Sequence, residues 1–210
     1  MISTPDLTYE KRFWQSGFKV IAGLDEAGRG ALAGPVAVAA VILPHDHPHL
    51  ARTLAGARDS KQMTPLARDR LAPRIREIAC AWGLGFASSE EIDSLSIVTA
   101  TRLAALRALE CIHVTPEYLL TDFRLELPEL DISQTALVRG DQCSLSIAAA
   151  SILAKTARDE FMCSLDREYP QYGFAHHKGY GTERHCQMIG QIGRSPVHRK
   201  TFDIKQLRIT

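Results

Sequence analysis

The sequence predicts an α/β fold in which helices flank one mixed β-sheet. Three observations lead to it: two short apolar runs rich in β-branched residues lie near the N-terminus, helical and strand patterns alternate after them, and no repeat or linker divides the chain. Its 210 residues, taken together, fit a single domain, since domains commonly hold about 100 to 200 residues. With 45% hydrophobic and 23% charged residues, the chain can bury a core and is not disordered, collagen-like or a coiled coil.

The first two strands are predicted at residues 20–24 and 36–43, because a glycine-rich segment separates two apolar runs of strand composition. Asp25 and Glu26 therefore lie where the first strand ends. Three further strands are predicted at residues 84–88, 118–121 and 135–138.

Four helices are predicted between and after these strands. Thr64 followed by Pro65 signals a helix start, and apolar residues at helical spacing extend that helix to Trp82. Pro73 should kink the helix or delay its start, because proline lacks a backbone donor and crowds the preceding turn. The other helices are predicted at residues 96–111, 146–165 and 182–192.

The composition gives no indication of a membrane span or of export. The longest apolar stretch, residues 35–44, is about half as long as a bilayer-spanning helix, and the N-terminus lacks the pattern of a secretory signal. Five cysteines without a C-x-x-C pair indicate neither a disulfide framework nor a zinc site. We expect a cytoplasmic protein that has no membrane contact and acts as a monomer.

Charge is distributed unevenly along a nearly neutral chain, in which 25 Lys and Arg face 24 Asp and Glu. Residues 58–76 hold six bases and two acids, residues 172–210 hold seven bases and two acids, and residues 117–131 hold five acids and one base. This pattern is typical of a polyanion-binding face beside a carboxylate centre, as in a metal-dependent nuclease. Ordinary solvated helix faces would explain the charges alone equally well.

Four acids lie at or just after predicted strand ends, where one sheet brings side chains together: Asp25, Glu26, Asp122 and Asp141. Clustered carboxylates repel one another, so a cluster persists near neutral pH when a cation lies between them. Oxygen ligands favour Mg²⁺ or Mn²⁺ over zinc, which prefers His and Cys. This is the composition of a phosphodiester-cleaving metal site. The alternative is that each acid caps a turn or a helix.

The segment Gly23-Leu-Asp-Glu-Ala-Gly-Arg-Gly30 does not match a nucleotide-binding P-loop. Arg29 and Gly30 replace the Lys and Ser/Thr of that loop, and two carboxylates occupy its interior. Glycines flanking an arginine let backbone amides approach a sugar-phosphate while the guanidinium binds phosphate. The segment therefore suits a nucleic-acid backbone better than a mononucleotide.

Five segments, in order along the chain, resemble ribonuclease HII, the type 2 ribonuclease H family. They run from about residue 20 to 182 and so cover most of the chain. The segments are Gly23-Leu-Asp-Glu-Ala-Gly-Arg-Gly30, Asp59-Ser-Lys61, Arg139-Gly-Asp141, residues 146–159 and residues 169–182.

The resemblance implies a ribonuclease H-like mixed sheet flanked by helices, with a basic, partly helical C-terminal extension over about residues 172–210. It implies that two Mg²⁺ or Mn²⁺ ions are bound by the catalytic acids Asp25, Glu26, Asp122 and Asp141. It also implies substrate contacts. These are the Gly28, Arg29 and Gly30 element that reads a ribonucleotide 2′-hydroxyl, a phosphate contact at Lys61 and a junction-sensing tyrosine at Tyr180.

The implied activity is that of an endoribonuclease. It would cleave the RNA strand of RNA/DNA hybrids and the 5′ side of single ribonucleotides embedded in duplex DNA, leaving 3′-hydroxyl and 5′-phosphate ends, and serve in ribonucleotide removal and RNA primer processing. A non-catalytic nucleic-acid-binding module is an alternative. The type 3 enzyme of the same superfamily is disfavoured, since it has a different residue in place of Arg29 and an N-terminal domain, whereas 24 residues precede Asp25 here.

Several positions depart from the family pattern or stay outside the predicted site. Thr121-Asp-Phe123 replaces the usual Ile-Asp-Gly, which questions the local turn more than the acid. The ending Gln206-Leu-Arg-Ile-Thr210 lacks the aromatic pair of a strong clamp-binding peptide, which leaves a weak sliding-clamp contact open. Within the matched helix, Ser151 is interpreted as helix packing and Asp159 as a partner of basic neighbours.

Overall fold

The computed structural model describes residues 4–123 and 125–204, and a five-stranded mixed sheet forms its centre. The strand order is β3-β2-β1-β4-β5; β1 and β3 are antiparallel to β2, and β4 is parallel to both β1 and β5. The strands are Ile21–Ala27 (β1), Val36–Ile42 (β2), Ala81–Ala87 (β3), Tyr118–Asp122 (β4) and Ser133–Leu137 (β5).

Helices cover both faces of the sheet. The helices in the described part of the chain are Thr8–Gln15 (α1), Leu50–Thr53 (α2), Pro65–Ile78 (α3), Ser89–Glu110 (α4), Leu145–Glu168 (α5), Phe174–His177 (α6) and Glu183–Ile192 (α7). Alternate residues of β2 point to opposite faces, so Ala39 and Val41 pack with α5, whereas Val38 and Ala40 pack with α4. The predicted mixed sheet flanked by helices is therefore confirmed.

The N-terminal end of α5 lies directly against β1. A Cβ atom at Gly23 would come within 2.4 Å of the main-chain carbon of Ser146, so only glycine permits this approach. The small side chains that follow, among them Ala149 and Ala150, are fully buried against the sheet. This close packing fixes α5 relative to the strand that carries Asp25 and Glu26.

Two predicted helix boundaries were wrong. Trp82 lies in β3, because the chain leaves α3 at Ile78 and enters the strand at Ala81. Pro73 does not delay α3, which begins at Pro65 as predicted and continues through an exposed Pro73. The helix predicted from residue 96 begins earlier, at Ser89.

The early start of α4 has a local cause. Ser88 and Glu91 form a reciprocal cap, in which each side chain accepts a hydrogen bond from the other residue's backbone N–H. The helical geometry is then interrupted at Ser96, whose φ of 75° and ψ of 157° are not helical. The predicted start of this helix at residue 96 thus coincides with the interruption, and not with the first residue of α4. The sequence patterns did not predict α1 or α2.

The C-terminal segment packs on the far end of α5 and on the loop between β1 and β2. Its core joins Tyr172, Phe174 and Ile189 with Met162 of α5 and Ala33 of the loop. This packing brings the segment from α6 to α7, which includes Tyr180, next to the loop that holds Arg29. No helix in the described ranges is long and apolar enough to cross a membrane.

Candidate active site

Three of the predicted acids converge where the pairing of the parallel strands β1 and β4 ends. Asp25 and Glu26 lie inside β1, which continues to Ala27, and not after its end as predicted. Leu24 of β1 pairs with Thr121 of β4, so the next residues, Asp25 and Asp122, lie side by side. One carboxylate oxygen from each of Asp25, Glu26 and Asp122 lies within 4.8 Å of the others. Ligand oxygens on opposite sides of a divalent cation are about 4 to 5 Å apart, so this spacing fits a shared ion.

Asp141 is brought to the same edge by the turn after β5. Arg139 adopts a left-handed conformation with φ 55°, and a 3₁₀ turn follows at Gly140–Gln142. Burial, then the negative charges of Asp59 and Asp122, raises the pKa of Asp141 to about 7. The structure therefore gathers all four predicted acids at one edge of the sheet, although Asp141 lies outside the 4.8 Å group.

Burial and repulsion raise the pKa values of this cluster. Asp25 is 3% exposed, and burial followed by the charge of Glu26 holds its pKa well above the ordinary value, while the Ser151 hydroxyl opposes the shift. Burial also raises the pKa of Glu26, against the opposing charge of Arg29. Ser151 thus does more than pack its helix.

The residues present fit a divalent cation. Oε2 of Glu26 is buried and has no hydrogen-bond partner among the described residues. A buried carboxylate oxygen without a partner is costly unless a cation binds it, and all the nearby ligands are hard oxygens. Burial is also the main reason that the pKa values of Asp25 and Glu26 are raised, since it penalises their negative charge. A bound cation would neutralise that charge.

Asp59 belongs to this centre, although sequence reasoning gave it no role. It precedes the 3₁₀ turn Ser60–Gln62, accepts hydrogen bonds from the Lys61 N–H (2.9 Å) and the Gln62 amide (3.1 Å), and is hydrogen-bonded to Asp141. The hydrogen bond to Asp59 contributes to the raised pKa of Asp141, after burial and the charges of Asp59 and Asp122. The Asp59-Ser-Lys61 segment was the available signal.

Lys61 lies at the exposed rim of the carboxylate centre. Burial would lower the pKa of its ammonium group, but the charges of Asp25, Asp59 and Glu26 outweigh that effect and raise it. Lys61 is therefore a firmly charged cation beside the acids, which is the property a phosphate contact requires.

The Gly28, Arg29 and Gly30 element directly follows β1. Arg29 reaches back to Glu26, with 3.7 Å between Nη1 and Oε1. Gly28 has φ +91°, and a Cβ there would lie 1.8 Å from Nε of Arg158, so glycine is required. Gly30 is exposed, with open space where a Cβ would be. The predicted reader element is thus in direct contact with the predicted metal site.

Two buried arginines organise this element, and sequence reasoning missed both. Arg158 and Arg199 are fully buried and form no ion pair within the described ranges. Each donates three hydrogen bonds to backbone carbonyls. Arg199 binds the carbonyls of Gly28, Arg29 and Gly34, and Arg158 binds those of Ala33, Pro35 and Lys178.

Tyr180 lies beside the same loop. The ammonium of Lys155 and the guanidinium of Arg158 each lie 5.4 Å from its ring centroid, and the ring is half-buried. The preceding Gly179 carbonyl accepts the backbone N–H of Leu32 at 2.8 Å. Tyr180 is thereby attached to the reader element through Arg158 and through main-chain bonds.

The two basic stretches are only partly surface features. Arg68 is buried, binds the carbonyls of Ser60 and Met63, and pairs with Asp159 at 3.0 Å. Arg194 donates to three backbone carbonyls of its own segment. The interpretation of these stretches as one polyanion-binding face is therefore wrong for the buried Arg68 and Arg199, whereas Arg194 is exposed and the predicted pairing of Asp159 with basic neighbours is confirmed.

The unusual Phe123 does not displace the third acid. Its side chain is 56% exposed, and the turn is closed by a 2.8 Å bond from the Leu125 N–H to the Asp122 carbonyl. The bulky ring points to solvent where the family pattern has glycine, and Asp122 keeps its place at the end of β4.

A mixed sheet of this order, with acids at the ends of its central strands, defines the class of ribonuclease H-like enzymes. The chain belongs to the ribonuclease HII family, whose model matches residues 22–205. It is accordingly a type 2 ribonuclease H, and the alternatives of a non-catalytic binding module and of a type 3 enzyme are set aside.

Individual comparisons agree with this assignment. Ribonuclease HII from Synechococcus sp. (strain JA-3-3Ab) is 51% identical over 199 residues, which are 94% of this chain and 88% of that protein. The PCNA:RNase HII complex from Archaeoglobus fulgidus is similar in structure, with a TM-score of 0.71, 26% identity, and 86% and 92% of the two chains covered. Bst-RNase HIII in complex with Mn²⁺ shares the fold, with a TM-score of 0.65, 22% identity, and 89% and 68% covered.

Proposed function

We propose that this ribonuclease H hydrolyses the phosphodiester on the 5′ side of a ribonucleotide, both in RNA/DNA hybrids and at single ribonucleotides in duplex DNA. The products would carry 3′-hydroxyl and 5′-phosphate ends, and the enzyme would serve ribonucleotide removal and RNA primer processing. The contact between Arg29 and Glu26 carries this proposal, because it joins a nucleic-acid-reading loop to a buried carboxylate cluster.

The acids Asp25, Glu26, Asp122 and Asp141 would hold two divalent ions, Mg²⁺ or Mn²⁺. Two such ions supply an activated water and stabilise the leaving oxygen in an in-line displacement. The support is the oxygen-only ligand set and the unpartnered Oε2 of Glu26. Hydrogen bonds hold Asp122 and Asp141 in place from the neighbouring turns, so these two acids are oriented before substrate arrives.

Recognition of a single ribonucleotide would depend on its 2′-hydroxyl, the group that distinguishes RNA from DNA at one nucleotide. The open, exposed backbone at Gly30 allows close approach of a sugar. Arg199 fixes the carbonyls of Gly28 and Arg29, which preorganises the loop. Lys61 would bind a phosphate, and Tyr180 would stack on the deoxyribose that follows the ribonucleotide.

A cleavage assay with the full chain tests this function. The substrates are end-labelled duplexes that carry one ribonucleotide, a continuous RNA strand on DNA, or DNA only, each with Mg²⁺, Mn²⁺ or chelator. We expect metal-dependent cleavage of the first two and none of the third. The ends are mapped by polymerase extension of the 3′ end and by ligation of the 5′ end. Cleavage on the 3′ side of the ribonucleotide, or cleavage in chelator, would contradict the proposal.

We further propose that a single domain of residues 1–210 acts as a cytoplasmic monomer with a weak sliding-clamp contact through its C-terminal end. Residues 206–210, which would make that contact, lie outside the described residues. Size-exclusion chromatography with light scattering measures the oligomeric state. Titration with purified clamp protein, for the full chain and for a chain ending at residue 204, tests the contact; equal affinity of the two chains would contradict it.

A further inference from the structure

A pair of buried histidines lies beneath Tyr180, and the proposed chemistry does not use it. His185 in the first turn of α7 and His198 in the segment after that helix are 0% and 1% exposed. Their Nε2 atoms are 3.0 Å apart. A hydrogen bond at this distance requires that one ring carries its proton on Nε2 and that the other does not.

The two ends of the pair determine where the protons are. The backbone N–H of Ser195 donates to Nδ1 of His198 at 2.9 Å, so that nitrogen is an acceptor and the proton of His198 is on Nε2. The carbonyl of Tyr180 lies 2.9 Å from Nδ1 of His185 and can only accept, so the proton of His185 is on Nδ1. The unprotonated Nε2 of His185 then accepts a hydrogen bond from Nε2–H of His198. The three hydrogen bonds therefore point the same way, from Ser195 to His198, from His198 to His185, and from His185 to the Tyr180 carbonyl.

The four carbonyls from His177 to Tyr180 each accept a hydrogen bond, and the one at Tyr180 accepts from a side chain of α7. The carbonyl of His177 accepts the Tyr180 N–H, that of Lys178 accepts from Arg158, and that of Gly179 accepts the Leu32 N–H. The Tyr180 carbonyl accepts from the Thr182 N–H and from His185. Loss of the imidazole would leave the Tyr180 carbonyl with the Thr182 N–H as its one donor among the described residues, so the peptide after Tyr180 would lose its bond to α7.

We propose that His185, aligned by His198, is a positioning residue that fixes the main chain at Tyr180 and thereby supports cleavage at single ribonucleotides. This inference rests on the proposed contact of Tyr180 with the substrate. His185 acts through the Tyr180 carbonyl and does not reach the substrate itself.

The surroundings favour a pair without an extra proton. An added proton on Nε2 of His185 would place two N–H groups face to face between the rings. One on Nδ1 of His198 would face the Ser195 N–H and would have the Ser195 hydroxyl oxygen, 2.8 Å away, as its acceptor. Burial lowers the pKa of each histidine to about 4, and the neighbouring charges act in the same direction. His177 stacks on His185 at 4.2 Å and has a lowered pKa itself, Arg194 faces His198, and the other neighbours are the rings of Tyr172 and Phe174. The arrangement therefore persists at neutral pH.

The first test observes the tautomers by long-range ¹H–¹⁵N correlation NMR on the full chain. We expect His185 as the Nδ1–H tautomer and His198 as the Nε2–H tautomer, both neutral at pH 7. The opposite tautomers, or a charged ring at that pH, would overturn the inference.

The second test compares variants on two substrates. His185→Phe keeps a ring but removes the donor, and His185→Asn retains a donor at the position of Nδ1. Exposed His176, in the same segment, supplies the control His176→Phe. For His185→Phe we expect kcat/KM to fall about tenfold on a single-ribonucleotide duplex, with little change on a continuous RNA/DNA hybrid, because a misplaced contact group costs rate without loss of the metal site. His185→Asn should recover part of the loss.

A double variant decides whether His185 acts through Tyr180. If it does, Tyr180→Ala combined with His185→Phe loses no more on the single-ribonucleotide duplex than Tyr180→Ala alone. Additive losses, or equal losses on both substrates that follow a lowered Tm, would overturn the positioning role. A selective loss in Tyr180→Ala without one in His185→Phe would overturn this inference alone, whereas a Tyr180→Ala variant without any selective loss would contradict the proposed function of Tyr180 as well.

Discussion

The backbone N–H of Gly140 donates a hydrogen bond of 2.8 Å to Oδ1 of Asp122. The bond ties the turn that carries Asp141 to the acid at the end of β4, so these two acids are positioned together. Oδ1 of Asp122 is thereby held from the side of β5, and Asp122 also contributes a carboxylate oxygen to the three-acid group with Asp25 and Glu26. Asp25, Glu26 and Asp122 are thus held by strands, and Asp141 is held by a turn that is bonded to Asp122.

We expect Asp25→Asn and Asp141→Asn each to abolish cleavage while leaving duplex binding largely intact, because each removes a proposed metal ligand and no proposed phosphate contact. In metal-free buffer the melting temperature should hold or rise, since the substitution relieves repulsion that raises the pKa of both acids. Activity with saturating Mn²⁺, binding to an uncleavable duplex and thermal melts measure the three quantities. Near-normal turnover in either variant would remove that acid from the site.

Gly28→Ala should destabilise the fold by about 1 to 3 kcal/mol, because the added methyl group would overlap Arg158 and the backbone has a positive φ. Gly30→Ala is a matched control two residues away, where the space is open and no strain is expected. Urea unfolding of both variants without substrate gives the comparison. Equal stability of the two variants would show that Arg158 moves aside without cost.

Raising the salt concentration from about 50 to 200 mM should weaken duplex binding by orders of magnitude if several of Lys61, Arg29, Lys178 and Arg184 contact phosphates. Lys61→Ala should lower the slope of log affinity against log salt by about one unit. Arg102→Ala is the control, because α4 covers the sheet face opposite α5 and Arg102 pairs with Glu129 at 3.7 Å. A slope unchanged in Lys61→Ala would exclude its phosphate contact.

Tyr180→Ala should cost roughly 1 to 3 kcal/mol on single-ribonucleotide substrates, the range for aromatic stacking on nucleic acids, and Tyr180→Phe should keep most activity. The measurement is the initial rate on a single-ribonucleotide duplex and on a continuous hybrid, alongside thermal melts. Equal losses on both substrates that track a lowered melting temperature would show that the ring stabilises the fold and not the junction.

The buried histidines should make the protein acid-sensitive. The folded pKa of His198 is about 4 and its ordinary value is 6.5, so between these values the unfolded chain binds a proton that the folded chain does not. Stability is fully present above pH 6.5 and is lost as the pH falls toward 4. The wild type should therefore lose about 2 kcal/mol relative to His198→Phe between about pH 7 and pH 5. Urea unfolding of both proteins in metal-free buffer at pH 7 and at pH 5 measures this loss. The acids with raised pKa values are present in both proteins, so their contribution cancels in the difference. A pH-independent difference would contradict the prediction.

Local patterns predicted five strands and placed the four acids at or near strand ends, whereas the choice of a metal site over capping residues came from the family resemblance. Apolar runs of strand composition indicated the strands but not their order, and it is the pairing of β1 with β4 that brings Asp25 and Asp122 together. The start of α3 was equally local, because Thr64 and Pro65 determine it.

The roles of Arg158 and Arg199 were not predictable from local patterns. The buried guanidinium of Arg199 donates its hydrogen bonds to backbone carbonyls. Every residue type has a backbone carbonyl, so the sequence does not indicate such partners, and Arg199 was counted among the bases of a binding face. Its function depends on contacts 165 to 171 residues away along the chain. Asp59 was overlooked for a similar reason, since its hydrogen bond to Asp141 joins two distant turns.

The distance along the chain between Arg199 and its acceptors also orders the events of protein synthesis. On a translating ribosome, the segments from β1 to α5 emerge and can pack well before Arg199 does, and until then the carbonyls of Gly28 and Arg29 lack the guanidinium that binds both of them. A nascent chain would accordingly assemble its acids first and its proposed ribonucleotide-reading loop last. Discrimination between RNA and DNA would be the final property that the newly made enzyme acquires.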